Sequence, residues 1–150
     1  MKNVFKKDAV DELIGRIDKL TSQSQPHWGK MSVSQMLAHC NVTYEMVYDN
    51  KHPKPNPLMK LMLKFFVKNS IVNDVPYKRN LKTAPQFIIS DERNFEHEKQ
   101  RLKDYIKRTY ELGENYFDNK ESDSFGILTV NEWNNMFYKH LDHHLNQFGV

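Results

Sequence analysis

Between Lys7 and Leu20 the apolar residues Val10, Leu13, Ile14, Ile17 and Leu20 recur at three- and four-residue steps among charged ones, a period that predicts a first helix burying one face. The polar stretch TSQSQPHWGK, with Pro26 and Gly29, interrupts it. In SVSQ, Ser32 can accept from the amide of Gln35 while the Gln35 side chain reaches back, a capping box that predicts a second helix over residues 33–48. The prolines of NKHPKPNP end that helix in a linker. Next, LMKLMLKFFVKN sets Lys60, Lys64 and Lys68 at four-residue spacing among Leu, Met and Phe. A basic amphipathic segment of this kind can lie on a membrane, but its shortness favours a short helix packed on the core.

Residues 70–89 are irregular, carry Pro76 and Pro85, and predict a long loop. Ser90, followed by Asp91 and Glu92, has the makeup of a helix start, because a hydroxyl cap and acidic residues both suit the positive end of the dipole. Phe95, Leu102, Tyr105, Ile106, Thr109 and Tyr116 mark the long third helix that follows. NKESDSFG separates it from a last helix over residues 129–147. Four sizeable helices with short connections and no alternating strand pattern predict an all-α fold in a single domain, residues 1–150. The expected architecture is an antiparallel four-helix bundle with one additional short helix and a long loop.

A chain of 150 residues can bury about two thirds of the surface that its unfolded form exposes, so neither a disulfide nor a metal is needed to hold it together. The 22 basic and 19 acidic residues are mixed along its length, leaving +3 with no basic arm, which argues against a nucleic-acid partner. The start has no apolar leader region, and no stretch approaches the ~18 uncharged apolar residues of a spanning helix. The expectation is a cytoplasmic protein with no membrane partner. The lone Cys40 agrees with a reducing compartment. A glycine-rich phosphate loop and a serine nucleophile elbow are both absent.

The candidate chemistry lies in YKHLDHHLNQFGV. At about 100° per residue, His140, His143, His144 and Gln147 share an arc of the last helix with Trp133, Met136 and Phe137 in or near it, while Asn135, Lys139, Asp142 and Asn146 form the back. Imidazoles aimed at an apolar interior need partners. His140 and His144 stand at i, i+4, the spacing at which two imidazoles share one ion. Two histidines seldom complete a site, and His39, on the same face as Met36, Val42, Thr43 and Met46, is the candidate third ligand. The competing reading of His39 is a core histidine bonded to a backbone carbonyl. His143, at the edge of the cluster, is a fourth ligand, a catalytic base beside the ion or a partly exposed residue, and the last two fit better. Gln147 either orients a ligand or a bound water or makes a simple helix-end bond. Trp28, Trp133 and Phe137 either wall a substrate pocket or fill the core. His27, His52 and His97 read as solvated surface, and Cys40 as a buried small hydrophobe.

The pairing of WGKMSVSQMLAHC with EWNNMFYKHLDHHLNQFGV, with LKTAPQF between them, resembles the DinB and YfiT-like superfamily of metal-dependent helical bundles, most nearly one of its branches of unknown function. The likeness spans nearly the whole chain. It implies an ion held by one histidine of the second helix and two of the fourth, which map onto His39, His140 and His144, the three already selected by the helical arc. The sequence departs from the branch at SDSFG, where an HPFFG-like stretch is common: Ser122 replaces the histidine and Ser124 the first phenylalanine. Superfamily members of known activity use a divalent metal, zinc or nickel among others, to activate a low-molecular-weight thiol for transfer or isomerisation, and some are hydrolases. The resemblance therefore implies a metal-dependent transferase or hydrolase acting on a small-molecule substrate, with a thiol as cosubstrate. The alternative is a non-catalytic bundle that binds metal or a partner, and a homodimer stays open.

Overall fold

The computed structural model describes residues 1–150 and is mostly helical, 59% of the chain, with one two-stranded hairpin, so the all-α class holds. Helix α1 spans Lys7–Asp18 and α2 spans Val33–Tyr48. The expected capping box forms: Ser32 Oγ accepts from Gln35 N at 3.2 Å and Gln35 Oε1 from Ser32 N at 3.0 Å. A short strap follows, α3 (Pro57–Met62), a π-helical turn (Leu63–Val67) and α4 (Lys68–Val72). The loop behind it contains a 3-10 turn at Pro85–Phe87. Helix α5 spans Phe95–Phe117, the hairpin pairs β1 (Glu121–Ser122) with β2 (Gly126–Ile127), and α6 spans Val130–Gln147 with a second capping box at Thr129 and Glu132.

Two expectations about the elements are corrected. The third long helix starts at Phe95 and not after Ser90, because Asn94 Oδ1 accepts from His97 N at 2.9 Å and caps it, while the Asp91 carbonyl receives the Gln35 side chain at 3.3 Å. The short basic helix is not packed on the core. No residue of α3 or of the π turn is buried, and Leu58, Phe65 and Phe66 are 70%, 69% and 79% exposed. Its lysines turn onto the body instead: Lys60 Nζ lies 2.7 Å from Glu121, Lys68 Nζ lies 2.8 Å from Glu132, and the Lys64 stem passes over Gly126. Leu58, Leu61, Phe65 and Phe66 are left facing out. The polar back of α6 is itself buried in part, Asn135 and Lys139 being 1% and 2% exposed.

The reason is that α6 is enclosed, touching α1, α2, α4 and α5. Lys139 Nζ donates to Ser70 O at 2.9 Å, Asn73 O at 2.7 Å and Asn73 Oδ1 at 2.9 Å, and Asn135 Nδ2 donates to Val72 O at 2.9 Å. Together they terminate α4, where a cation and donors suit the carbonyl end of a helix. Lys139→Met is expected to leave those acceptors without their donor and to cost about 1–3 kcal/mol in urea unfolding; an unchanged midpoint would contradict this account.

The apolar core joins α1 (Leu13, Ile17), α2 (Met36, Leu37), α5 (Leu102, Ile106) and α6 (Trp133, Phe137, Leu141). Against α5, α2 is also held by a buried polar network in which Glu98 Oε2 accepts from Asn41 Nδ2 and Arg101 Nη1, each at 2.8 Å, and Arg101 also reaches Glu45. That network sets the roll of α2 and sends His39 toward α6. No helix is long and apolar enough to cross a membrane.

Candidate metal centre

His39 of α2 meets His140 and His144 of α6, with ring centroids 4.9, 4.5 and 4.8 Å apart over the three pairs. One ligand nitrogen from each lies within 4.8 Å of the others. In each ring Nδ1 is already engaged. His39 Nδ1 donates to Phe87 O at 2.8 Å, so its Nε2 carries the lone pair. His144 Nδ1 donates to Gln147 Oε1 at 2.8 Å, and the amide orientation is set by Gln147 Nε2 donating to Trp28 O at 2.6 Å. His140 Nδ1 lies 2.9 Å from Thr43 Oγ1. The Nε2 atoms of His39 and His140 are 3.0 Å apart. A hydrogen bond between them must use the proton of His140, whose Nδ1 then accepts from Thr43. Holding an ion requires the other tautomer of His140, and a hydroxyl serves both because it donates and accepts.

The donor set fits a divalent ion. Burial holds all three imidazoles neutral: it lowers the pKa of His39, drives that of His140 well below the usual 6.5 with help from His144, and takes His144 to about 3. Neutral nitrogen is the form that binds zinc and similar metals. A tetrahedral ion with ~2.0–2.1 Å bonds holds its nitrogens about 3.4 Å apart, so the ligand atoms here, all within 4.8 Å of one another, close on it with a shift of under about 1.5 Å.

The three rings border a cavity of about 1190 Å³. Trp28 and Trp133 line it, as does His143, half-buried between the edges of Trp28 and Tyr77 at 5.8 and 5.7 Å and outside the three-histidine group. Burial lowers the pKa of His143, opposed by Asp142 and assisted by Arg79. Phe137 does not border the cavity. It is a core residue, 1% exposed, stacked on Tyr44 at 5.0 Å and Trp133 at 5.6 Å, because that side of α6 faces α2 and α5. His27 and His97 are exposed, but His52 is not free surface, since its Nε2 lies 2.7 Å from Glu45 Oε2. Cys40 is 1% exposed beside Met36, and burial pushes its thiol pKa up.

Two supports of the site carry no weight in the sequence reading. Thr43 had a readable signal, four residues after His39 on the same helix face. The Phe87 carbonyl had none, being backbone delivered by a loop. A third constraint is Gly29, whose φ of +82° suits glycine and where a Cβ would lie 2.6 Å from Gln147 Nε2. Gln147→Ala is expected to weaken zinc binding about 10–100-fold in chelator competition, and Gly29→Ala to weaken it by displacing the same amide. Wild-type affinity in both variants would remove Gln147 from the site.

Fold and site thus define an all-α protein with a buried three-histidine group able to hold a metal ion. The chain belongs to the family described as protein of unknown function (DUF1569), which matches residues 2–149. No curated protein and no solved structure matches it.

Proposed function

We propose that this protein is a divalent-metal-dependent enzyme of DinB/YfiT-like architecture, with α1, α2, α5 and α6 as an antiparallel four-helix bundle and His39, His140 and His144 as the ligands of zinc or nickel. One observation carries the reading: imidazoles from two helices gather at a cavity wall with each Nδ1 engaged elsewhere. A site that only stabilised the fold would be closed by a fourth protein ligand, whereas here three histidines stand at a large cavity.

The ion, when bound, supplies Lewis acidity that keeps a thiol or water deprotonated at neutral pH. The chain's own groups do the rest. The Phe87 carbonyl, Thr43 Oγ1 and Gln147 Oε1 hold the three rings in orientation, so little reorganisation accompanies reaction. His143 accepts a proton at a ring nitrogen from a group in the cavity, while Trp28 and Trp133 offer apolar wall to the substrate. The reaction class is transfer of a low-molecular-weight thiol, or hydrolysis. The test is a screen of protein loaded with zinc or nickel, with several low-molecular-weight thiols, against electrophilic and ester substrates. Turnover that disappears in His144→Ala is the expected result; turnover indifferent to that substitution, or none with either metal and any thiol, overturns the enzyme reading.

A further inference from the structure

The strap from α3 to α4 is built of three rows. Met59, Leu63, Val67 and Ile71, at four-residue spacing, face the cavity that the histidines border. Lys60 and Lys64 turn to the hairpin and Lys68 to Glu132 at the start of α6, and Leu58, Leu61, Phe65 and Phe66 face solvent. The strap is therefore an apolar cover. Across the cavity, Met46 and Val47 of α2 and Met136 of α6 continue the apolar surface. At about 1190 Å³ the space exceeds the roughly 300–1,000 Å³ of ordinary small-molecule pockets. A small polar substrate would leave most of that wall against water, whereas an extended apolar chain would cover it.

The charges bordering the cavity add a second constraint. Its acids are neutralised, Glu121 by Lys60 at 2.7 Å and Asp123 by Lys54 at 3.1 Å. Lys30, Lys78 and Lys82 also border it, are exposed, and belong to none of the ion pairs. The surplus charge at the cavity is positive, which favours an anionic group on the ligand.

From these two constraints we infer that the cavity takes a long-chain anionic amphiphile, an acyl chain of fatty-acid length with a carboxylate or phosphate head, enclosed beneath the strap. The inference rests on the reading of the three histidines as an active site and names the substrate class of that site. The same chain chemistry is presented by a free fatty acid and by a bilayer phospholipid.

The test uses zinc-loaded full-length protein and 11-(dansylamino)undecanoic acid, whose emission shifts to the blue and brightens in an apolar cavity. Palmitate should displace the probe at least 100-fold more effectively than hexanoate and at least tenfold more effectively than methyl palmitate. Leu63→Arg and Val67→Arg, on the inner row and outside the core, should each weaken probe binding at least tenfold while zinc content and helical circular dichroism stay at wild type. Phe66→Ser, on the outer row, should leave probe binding unchanged. Phosphatidylglycerol vesicles separate the sources: displacement by palmitate alone assigns a free acid, and displacement by both assigns a bilayer-borne chain. A probe that shows no blue shift, or is displaced by neither, overturns the inference. So does probe binding that Phe66→Ser abolishes and the inner-row variants spare. Zinc retained in any of those results leaves the metal reading standing, whereas zinc absent from the wild type is the failure of that reading instead.

Discussion

Wild-type protein purified without chelator is expected to carry one zinc or nickel ion per chain, and His140→Ala or His144→Ala to carry almost none. Removing one of three imidazoles takes away a bond to the ion itself, so the loss should exceed the roughly 10–100-fold that follows from removing an outer hydrogen-bond partner such as Gln147. His143→Ala is the control, since that ring lies outside the three-histidine group. Elemental analysis decides it, and equal metal in wild type and His140→Ala would remove the site. The fold should survive chelation. The core of 23 buried residues draws on helices α1, α2, α5 and α6, and the metal adds only the linkage free energy of a ligand that binds the native state. Chelated protein should keep its helical circular dichroism and melt at a lower temperature; a chain unfolded by chelation would make the ion structural.

The second large effect is acid destabilisation of the chelated protein. Above about 6.5 the imidazoles are neutral in both the folded and the unfolded chain, and pH has no leverage through them. Below that value the unfolded chain takes up protons that the buried rings refuse. The unfolded state then binds more protons, and stability falls as pH falls, by about 1.4 kcal/mol per pH unit for each such ring. For His144 the decline runs from 6.5 down to about 3, and His39 and His140, both lowered by burial, begin theirs at the same upper limit. Urea unfolding in chelator at pH 7.5, 6.5, 5.5 and 4.5 reads the slope, and His144→Gln should make it shallower by about one ring's share. Equal slopes for the two proteins would mean that the ring is not held neutral by burial.

The long helices and the inward faces that carry the three histidines were legible because both follow from local periodicity. A stripe of apolar residues defines which face of α1 or α2 must be buried, and His140 and His144 share a face of α6 by spacing alone. Capping residues were legible where the competing signals were few, as at Ser32 and Thr129. They misled at Ser90, because Asn94 offered a second cap four residues on and tertiary contacts engaged the Asp91 carbonyl. The strap was misread for a related reason. Its rows are visible in the sequence, but amphipathicity says only that two faces differ, and the acids that draw the lysines inward, Glu121 and Glu132, lie more than sixty residues away along the chain.

By itself, then, the sequence determined the helices, the inward arc of α6 and the His140–His144 pair, since each depends on residues within a turn or two of one another, whereas the meeting of His39 with that pair is made by the packing of α2 on α6. Only the tertiary structure decided that Phe137 lies wholly in the core while Trp133, also in the core, borders the cavity, that Lys139 ends α4 rather than meeting water, and that a loop carbonyl at Phe87 fixes the tautomer of His39. Those outcomes depend on how distant segments are rolled and brought together. Backbone carbonyls are alike at every position, so nothing in the sequence marks the one that a folded chain will place beside a ring.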